Sequence, residues 1–177
     1  YTPGAELSLT AGVDREILDG DGKLTLDVVY TTYGDDEQDG QQVFASGAKI
    51  LAQLTAVFRA GSLDWTVYAV ERSKGKNTAY AGASATQLSN GNQLEAGARA
   101  FRRLNKRLGA RLGADLRVYG DNANDAGEAT LYTAGPGLRY TLSPGTFFDL
   151  NLKAGTGQLD GQSVSGFELS GGIWVRL

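Results

Sequence analysis

The sequence of 177 residues contains neither cysteine nor histidine. Without cysteine there is no disulfide framework and no thiolate metal site. Without histidine the chain lacks the commonest metal ligand and the usual general base near neutral pH. These two absences remove most hydrolytic and zinc chemistry, and the expectation is a protein that is not an enzyme and uses no metal or cofactor. No run of 18 or more apolar residues is present, so no transmembrane helix is expected. Proline is scarce, at 3 residues against 25 glycines, which disfavours low-complexity and collagen-like chains. The net charge of −3 carries no basic excess, so no nucleic-acid partner is expected. The length fits one domain, residues 1–177. The chain begins at Tyr1 without a charged-then-apolar leader, and a mature or excised form is the expectation.

What the sequence does have is alternation of period two. Leu108, Ala110, Leu112, Ala114, Leu116 and Val118 fall on one side, with Gly109, Arg111, Gly113, Asp115, Arg117 and Tyr119 on the other. Successive strand side chains point to opposite faces, so this is a strand with one apolar and one polar face. The pattern recurs around Leu7 to Val13, Leu24 to Tyr30, Phe148 to Ala154, and Phe167 to Leu177. Gly-, Asn- and Asp-rich turn signals separate the segments, among them Asp19 to Gly22, Asp35 to Gln42, Ser73 to Asn77, Asn90 to Asn92, Gly120 to Gly127 and Gly157 to Gln162. Such residues supply the positive φ of hairpin turns. About ten strands are expected, within a range of 8–12, each near the ~9–11 residues of a tilted membrane strand. Ser46 to Ala60 and Leu94 to Leu108 also fit a helical stripe, but their neighbours favour strands. Gly135-Pro136-Gly137 marks a bulge, a break or an edge, because proline cannot donate to the ladder.

Alternation alone does not say which face is inside. A soluble lipocalin-like barrel buries the apolar face around a small apolar ligand, whereas a membrane barrel turns it to lipid. Three features favour the membrane arrangement. Glycines mixed with single charges on the polar face leave room for long side chains to cross a narrow lumen. Alanines such as Ala79, Ala81, Ala83 and Ala85 suit lipid better than a volume-filling core. Aromatic residues Tyr30, Phe58, Trp65, Tyr140, Phe148 and Phe167 sit near strand ends, as interfacial girdles do. The fold class expected is thus all-β, an antiparallel up-and-down transmembrane β-barrel.

With this pattern the chain resembles the outer-membrane β-barrel class of Gram-negative bacteria. Its last segment, Gly171-Gly172-Ile173-Trp174-Val175-Arg176-Leu177, alternates as the closing strand of that class does, with Leu177 in place of the usual terminal aromatic. The runs Gly97 to Leu104 and Leu108 to Gly113 resemble hairpins in barrels that end polysaccharide-export proteins. The resemblance implies a bacterial outer-membrane location, outer-membrane lipid as partner, and contact with other export or envelope proteins. It implies a narrow channel or a component of a porin-like transport or export assembly. The charges that would line its lumen are Arg99, Arg103, Arg111, Asp115, Arg117, Arg139, Asp149, Lys153, Glu168 and Arg176. An anchor or adhesin barrel is the alternative membrane reading, weakened by connections that read as modest in length. Asp115 with Glu168 could do acid–base work in principle, but a structural ion-pair network is favoured. Asp19 to Gly22 reads as a turn, since it lacks the spaced acidic ligands of a calcium loop.

Overall fold

A computed structural model of the chain describes residues 1–120 and 127–175. The Gly120 to Gly127 turn signal falls largely outside these residues, as do Arg176 and Leu177. The strands are β1 (Glu6–Ile17), β2 (Gly22–Tyr33), β3 (Asp35–Gln38), β4 (Gln41–Ala45), β5 (Lys49–Ala60), β6 (Leu63–Lys74) and β7 (Asn77–Ala81). They continue with β8 (Ser84–Leu88), β9 (Gln93–Arg103), β10 (Leu108–Tyr119), β11 (Ala129–Ser143), β12 (Thr146–Leu159) and β13 (Gln162–Val175). Both segments that also fit a helical stripe are strands, β5 and β9. The chain is all-β and its pairings are antiparallel.

Nine long strands form one sheet in the order β1-β2-β5-β6-β9-β10-β11-β12-β13, and four short ones form a second, β3-β4-β7-β8. This corrects the expected count of about ten, and the sheet does not close on itself: β1 and β13 are unpaired edges. The four extra strands arise because the connections between β2 and β5 and between β6 and β9 fold into hairpins of their own. Asp35 to Gln42, which reads as a turn, holds the β3–β4 hairpin, and Asn77 to Leu88 forms β7 and β8, strands of five residues each that do not cross the large sheet. Ala79, Ala81 and Ala85 therefore belong to the small sheet, and Ala83 to its turn, so they say nothing about the large one.

Turn chemistry sets the hairpins. Asp39-Gly40 and Asp160-Gly161 both have positive φ at their two residues (54° and 74°, 51° and 72°), the conformation of a two-residue turn that matches strand twist. Four connections lie at one end of the large sheet, at residues 18–21, 61–62, 104–107 and 144–145. The opposite end carries the connections 34–48, 75–92 and 120–128, together with the tight turn at Asp160-Gly161. The sheet thus has a short-turn end and a long-connection end.

Register fixes the two faces, since residues opposite each other share a side. One row runs Asp14, Thr25, Thr55, Tyr68, Gly97, Asp115, Thr133, Gly155 and Gly166 across all nine strands. The row of opposite parity beside it runs Arg15, Leu24, Ala56, Val67, Ala98, Ala114, Ala134, Ala154 and Phe167. The apolar face does carry alanines, at positions the sequence pattern alone does not single out. Among the described residues its only charges are Arg15, Glu71 and Arg102, each within three residues of a strand end.

Among the described residues nothing packs on that apolar face. Among the described residues the only buried hydrophobic ones are Val70 and Ala129, and no large side chain is fully enclosed. Leu9, Leu54, Leu112, Leu152, Phe167 and Ile173 are all exposed. The accessible surface is 12187 Å², where a soluble monomer of this mass exposes about 8,300 Å². The sheet is one layer of an architecture that needs something else against its apolar side.

At Pro136 the β11 strand continues, with Leu112 opposite it on β10. The ladder toward β12 lapses there: Ala134 pairs with Ala154 and Gly137 with Asn151, with no pair between. A Cβ on Gly135 would overlap the Leu152 carbonyl, whereas one on Gly166 would meet nothing. Gly135→Ala is expected to lower stability by about 1–3 kcal/mol, and Gly166→Ala to change it by less than about 0.5 kcal/mol, as read from urea unfolding midpoints.

The first residues are tied to β3. Thr2 and Glu37 exchange backbone hydrogen bonds, the Gly4 amide donates to Asp36 Oδ1 at 2.7 Å, and the Tyr1 hydroxyl donates to Oδ2 at 2.7 Å. The Gly4 amide first, and then the Tyr1 hydroxyl, hold the Asp36 carboxyl below its ordinary pKa. A carboxyl lowered in the folded state stabilises above its unfolded pKa and loses that contribution as pH falls through the folded one. Amide exchange at Gly4, corrected for its intrinsic pH dependence, should therefore gain protection as pH rises through the acid range. Asp36→Asn should remove that dependence.

Candidate functional site

The polar face of β6 and β9–β12 carries two carboxylates that are nearly removed from solvent. The Asp115 side chain is 1% exposed and the Asp149 side chain 6%. Carboxylates are rarely buried unless paired, and both are paired here. Lys153 Nζ lies 2.8 Å from Asp115 Oδ2, and Arg99 Nη2 3.6 Å from Oδ1. The Tyr68 hydroxyl donates to Asp115 Oδ1, and the Thr133 hydroxyl donates to Oδ2 at 3.4 Å. Asp149 accepts a forked pair from Arg139, Nε and Nη2 each at 2.8 Å, and Arg111 Nη2 lies 2.8 Å from its Oδ1. Arg117 and Glu95 form a looser pair at 3.5 Å.

These contacts reach over intervening strands. Tyr68 on β6 meets Asp115 on β10 across β9, where the residue between them is Gly97. A Cβ at Gly97 would lie 2.6 Å from Asp115 Oδ1 and 2.8 Å from the Tyr68 hydroxyl oxygen. Arg111 on β10 and Asp149 on β12 meet across β11, where a Cβ on Gly137 would lie 2.8 Å from Arg111 Cγ. The Phe101 ring occupies the space over Gly109. Glycine at these positions is thus a packing requirement of the polar side chains. Arg99 also lies over the Tyr68 ring at 5.2 Å and Arg139 over the Phe147 ring at 5.3 Å, contacts that hold the guanidinium planes.

Of the expected charges, the structure gathers Arg99, Asp115 and Lys153 into one cluster and Arg111, Arg139 and Asp149 into another. Arg117 pairs with Glu95. Arg103 and Glu168 share the polar face but join no ion pair among the described residues, and Arg176 lies outside them. Glu168 is not a partner of Asp115. A cavity of about 220 Å³ over the clusters is lined by Arg99, Arg111, Asn151, Lys153, Glu168 and Ser170 among others. The sequence pattern missed Tyr68 and Glu95. Only register reveals them, because Tyr68 gains its role by standing opposite Gly97.

The aromatics fall into three settings. Phe58 and Trp65 stack at 6.4 Å near the short-turn end, where Tyr140 also stands opposite Phe148. Tyr30 lies toward the long-connection end. Phe167 is 85% exposed in mid-strand on the edge.

No family model, curated protein or solved structure matches the chain.

What the clusters can do chemically is hold charge in a water-poor place. Asp115→Ala strands Lys153 and Arg99, and is expected to cost about 3 kcal/mol, at the low end for a broken buried pair because both cations keep some water. The double variant with Lys153→Met should recover part of that loss. Asp14→Ala breaks a pair with Lys23 that is more than half exposed on both sides and should leave the unfolding midpoint nearly unchanged. Urea unfolding of the full set gives the coupling directly.

Proposed function

We propose that the nine-stranded sheet is a membrane-spanning wall of an outer-membrane β-barrel, with its apolar face against lipid and its charged face toward a lumen. One observation carries this reading: the two faces are the reverse of a soluble protein's, with large apolar side chains exposed and carboxylates enclosed. A contiguous apolar surface of this extent exceeds what soluble monomers show. Charges confined to strand ends on that face suit a hydrocarbon core bounded by polar interfaces. Strands of 11–15 residues are long enough to cross it when tilted. One end with short turns and one with longer connections is the asymmetry of bacterial outer-membrane barrels.

Within that reading, the function is that of a narrow channel, or of a component of an export or transport assembly whose path is lined by paired charges. Rings of charge set ion preference in pores, and the Arg-rich clusters around Asp115 and Asp149 favour anionic or polar solutes. A second reading, an anchor or adhesin, gains from the small sheet at the long-connection end, which presents ordered structure beyond the strands.

Fractionation with membranes, extraction only by detergent, and a gel mobility that changes on boiling are expected. A folded monomer in plain buffer would overturn the lipid-facing assignment. In the Trp174→Phe variant, Trp65 remains as the sole indole, on the apolar face. Its fluorescence should fall in vesicles of acyl-brominated lipid and stay unchanged if that face is covered by protein. Conductance in planar bilayers separates channel from anchor, and Arg111→Glu should shift its ion preference toward cations.

A further inference from the structure

The polar face of the large sheet pairs most of its charges. Seven of its cations reach a carboxylate at 2.7–3.6 Å. Among the described residues Lys49, Arg72, Lys74 and Arg103 do not. Arg103 stands alone near the short-turn end, as the last residue of β9. The other three stand together at the long-connection end.

Lys49 opens β5 and Lys74 closes β6, and register sets them directly opposite each other. Like charges in that position destabilise a sheet. Arg72 lies on the same face of β6, next to Lys74 along that face. Glu95 is diagonal to Arg72, opposite Val70, but it pairs with Arg117. A cavity of about 440 Å³ between the cations is lined by Glu6, Thr31, Tyr33, Lys49, Arg72 and Lys74 among others. Thr31 is buried there, and Lys49 Nζ lies over the Tyr33 ring at 5.1 Å. Glu6 is the one carboxylate in the lining, so three positive charges face a single negative one.

We propose that this cavity binds a phosphate dianion, free or carried on a small solute. The three cations less Glu6 leave two positive charges, and a phosphate ester carries about −1.5 to −2 near pH 7. Arg72 offers a planar fork for two phosphate oxygens, with Lys49 and Lys74 as compact point charges beside it. The volume lies within the roughly 300–1,000 Å³ of small-molecule sites. The clusters in mid-sheet are less suited to capture, because their cations are already neutralised by Asp115 and Asp149. The site deepens the channel reading, on which it rests only for the route by which the solute arrives. It puts capture at the long-connection end, ahead of the paired charges. Its cations stand on the polar face, so the phosphate is that of a solute and not of a lipid headgroup.

The test titrates the full chain, folded in non-ionic detergent, with inorganic phosphate at an ionic strength held constant with chloride. Binding is read from phosphorus NMR line broadening and from the thermal unfolding midpoint. Phosphate should bind and raise the midpoint, as a ligand of the folded state does. The double variant Lys49→Gln, Lys74→Gln should weaken binding about tenfold or more, through loss of two charge-assisted contacts. It removes a like-charge pair, so it is expected to fold at least as well as the parent. Arg103→Gln should leave binding unchanged. No binding by the folded chain, undiminished binding by the double variant, or an equal loss in Arg103→Gln would overturn the site. Displacement of phosphate by phosphatidic acid in mixed micelles would overturn its assignment to a solute. If the chain folds in plain buffer, the same titration is run there, and binding then upholds the site while the membrane reading falls. Binding in detergent without conductance in bilayers upholds the site while the channel reading falls.

Discussion

Backbone hydrogen bonding across eight ladders is the interaction on which the rest of this structure depends. Most folds of this length are held by an enclosed hydrophobic core, but Val70 and Ala129 are the only buried hydrophobic residues described here. The ladders keep nine strands in register without a second layer, and that register puts every leucine of β10 on one side and every charge on the other. The apolar surface they create is favourable only once something other than water covers it. In hydrocarbon the same ladders would be indispensable, because a spanning segment has no water to satisfy its backbone.

The polar face solves a different problem. A carboxylate taken out of water needs several donors, and on a sheet those donors must come from strands at fixed spacing. Gly97 and Gly137 lower the surface between Tyr68 and Asp115 and between Arg111 and Asp149, so that long side chains cross a strand and meet. The result is a chain of ion pairs held above the sheet by glycine, in which Arg139 grips Asp149 with two parallel bonds. Such clusters stiffen the sheet and leave the cavity beside Lys153 and Glu168 lined by charge.

The two ends of the sheet divide the labour. The tight turns at one end place Leu18, Asp19, Gly20, Gly61 and Gly145 at positive φ. The longer connections at the other fold into β3-β4 and β7-β8, which pair with one another and with Thr2, where the Asp36 carboxylate receives two hydrogen bonds. Order in these connections extends the structure beyond the strands that carry the clusters.

Alternation is a local property, set by the pleat of each strand, and so the sequence by itself determined the strand segments, their two faces and the side to which Arg99, Arg111, Asp115, Asp149 and Lys153 belong. It also marked Asp39-Gly40 and Asp160-Gly161 as turns, since Asp-Gly tolerates the required φ. Pairing is not local. That Asn77 to Leu88 leaves the main sheet, that Pro136 sits inside a continuous strand, and that β1 and β13 remain unpaired were decided only by tertiary structure. Tyr68 is the clearest case. Nothing in its neighbourhood of sequence announces a role, because the glycine that makes room for it and the aspartate that accepts its hydrogen bond lie on other strands, and only register brings the three into one row.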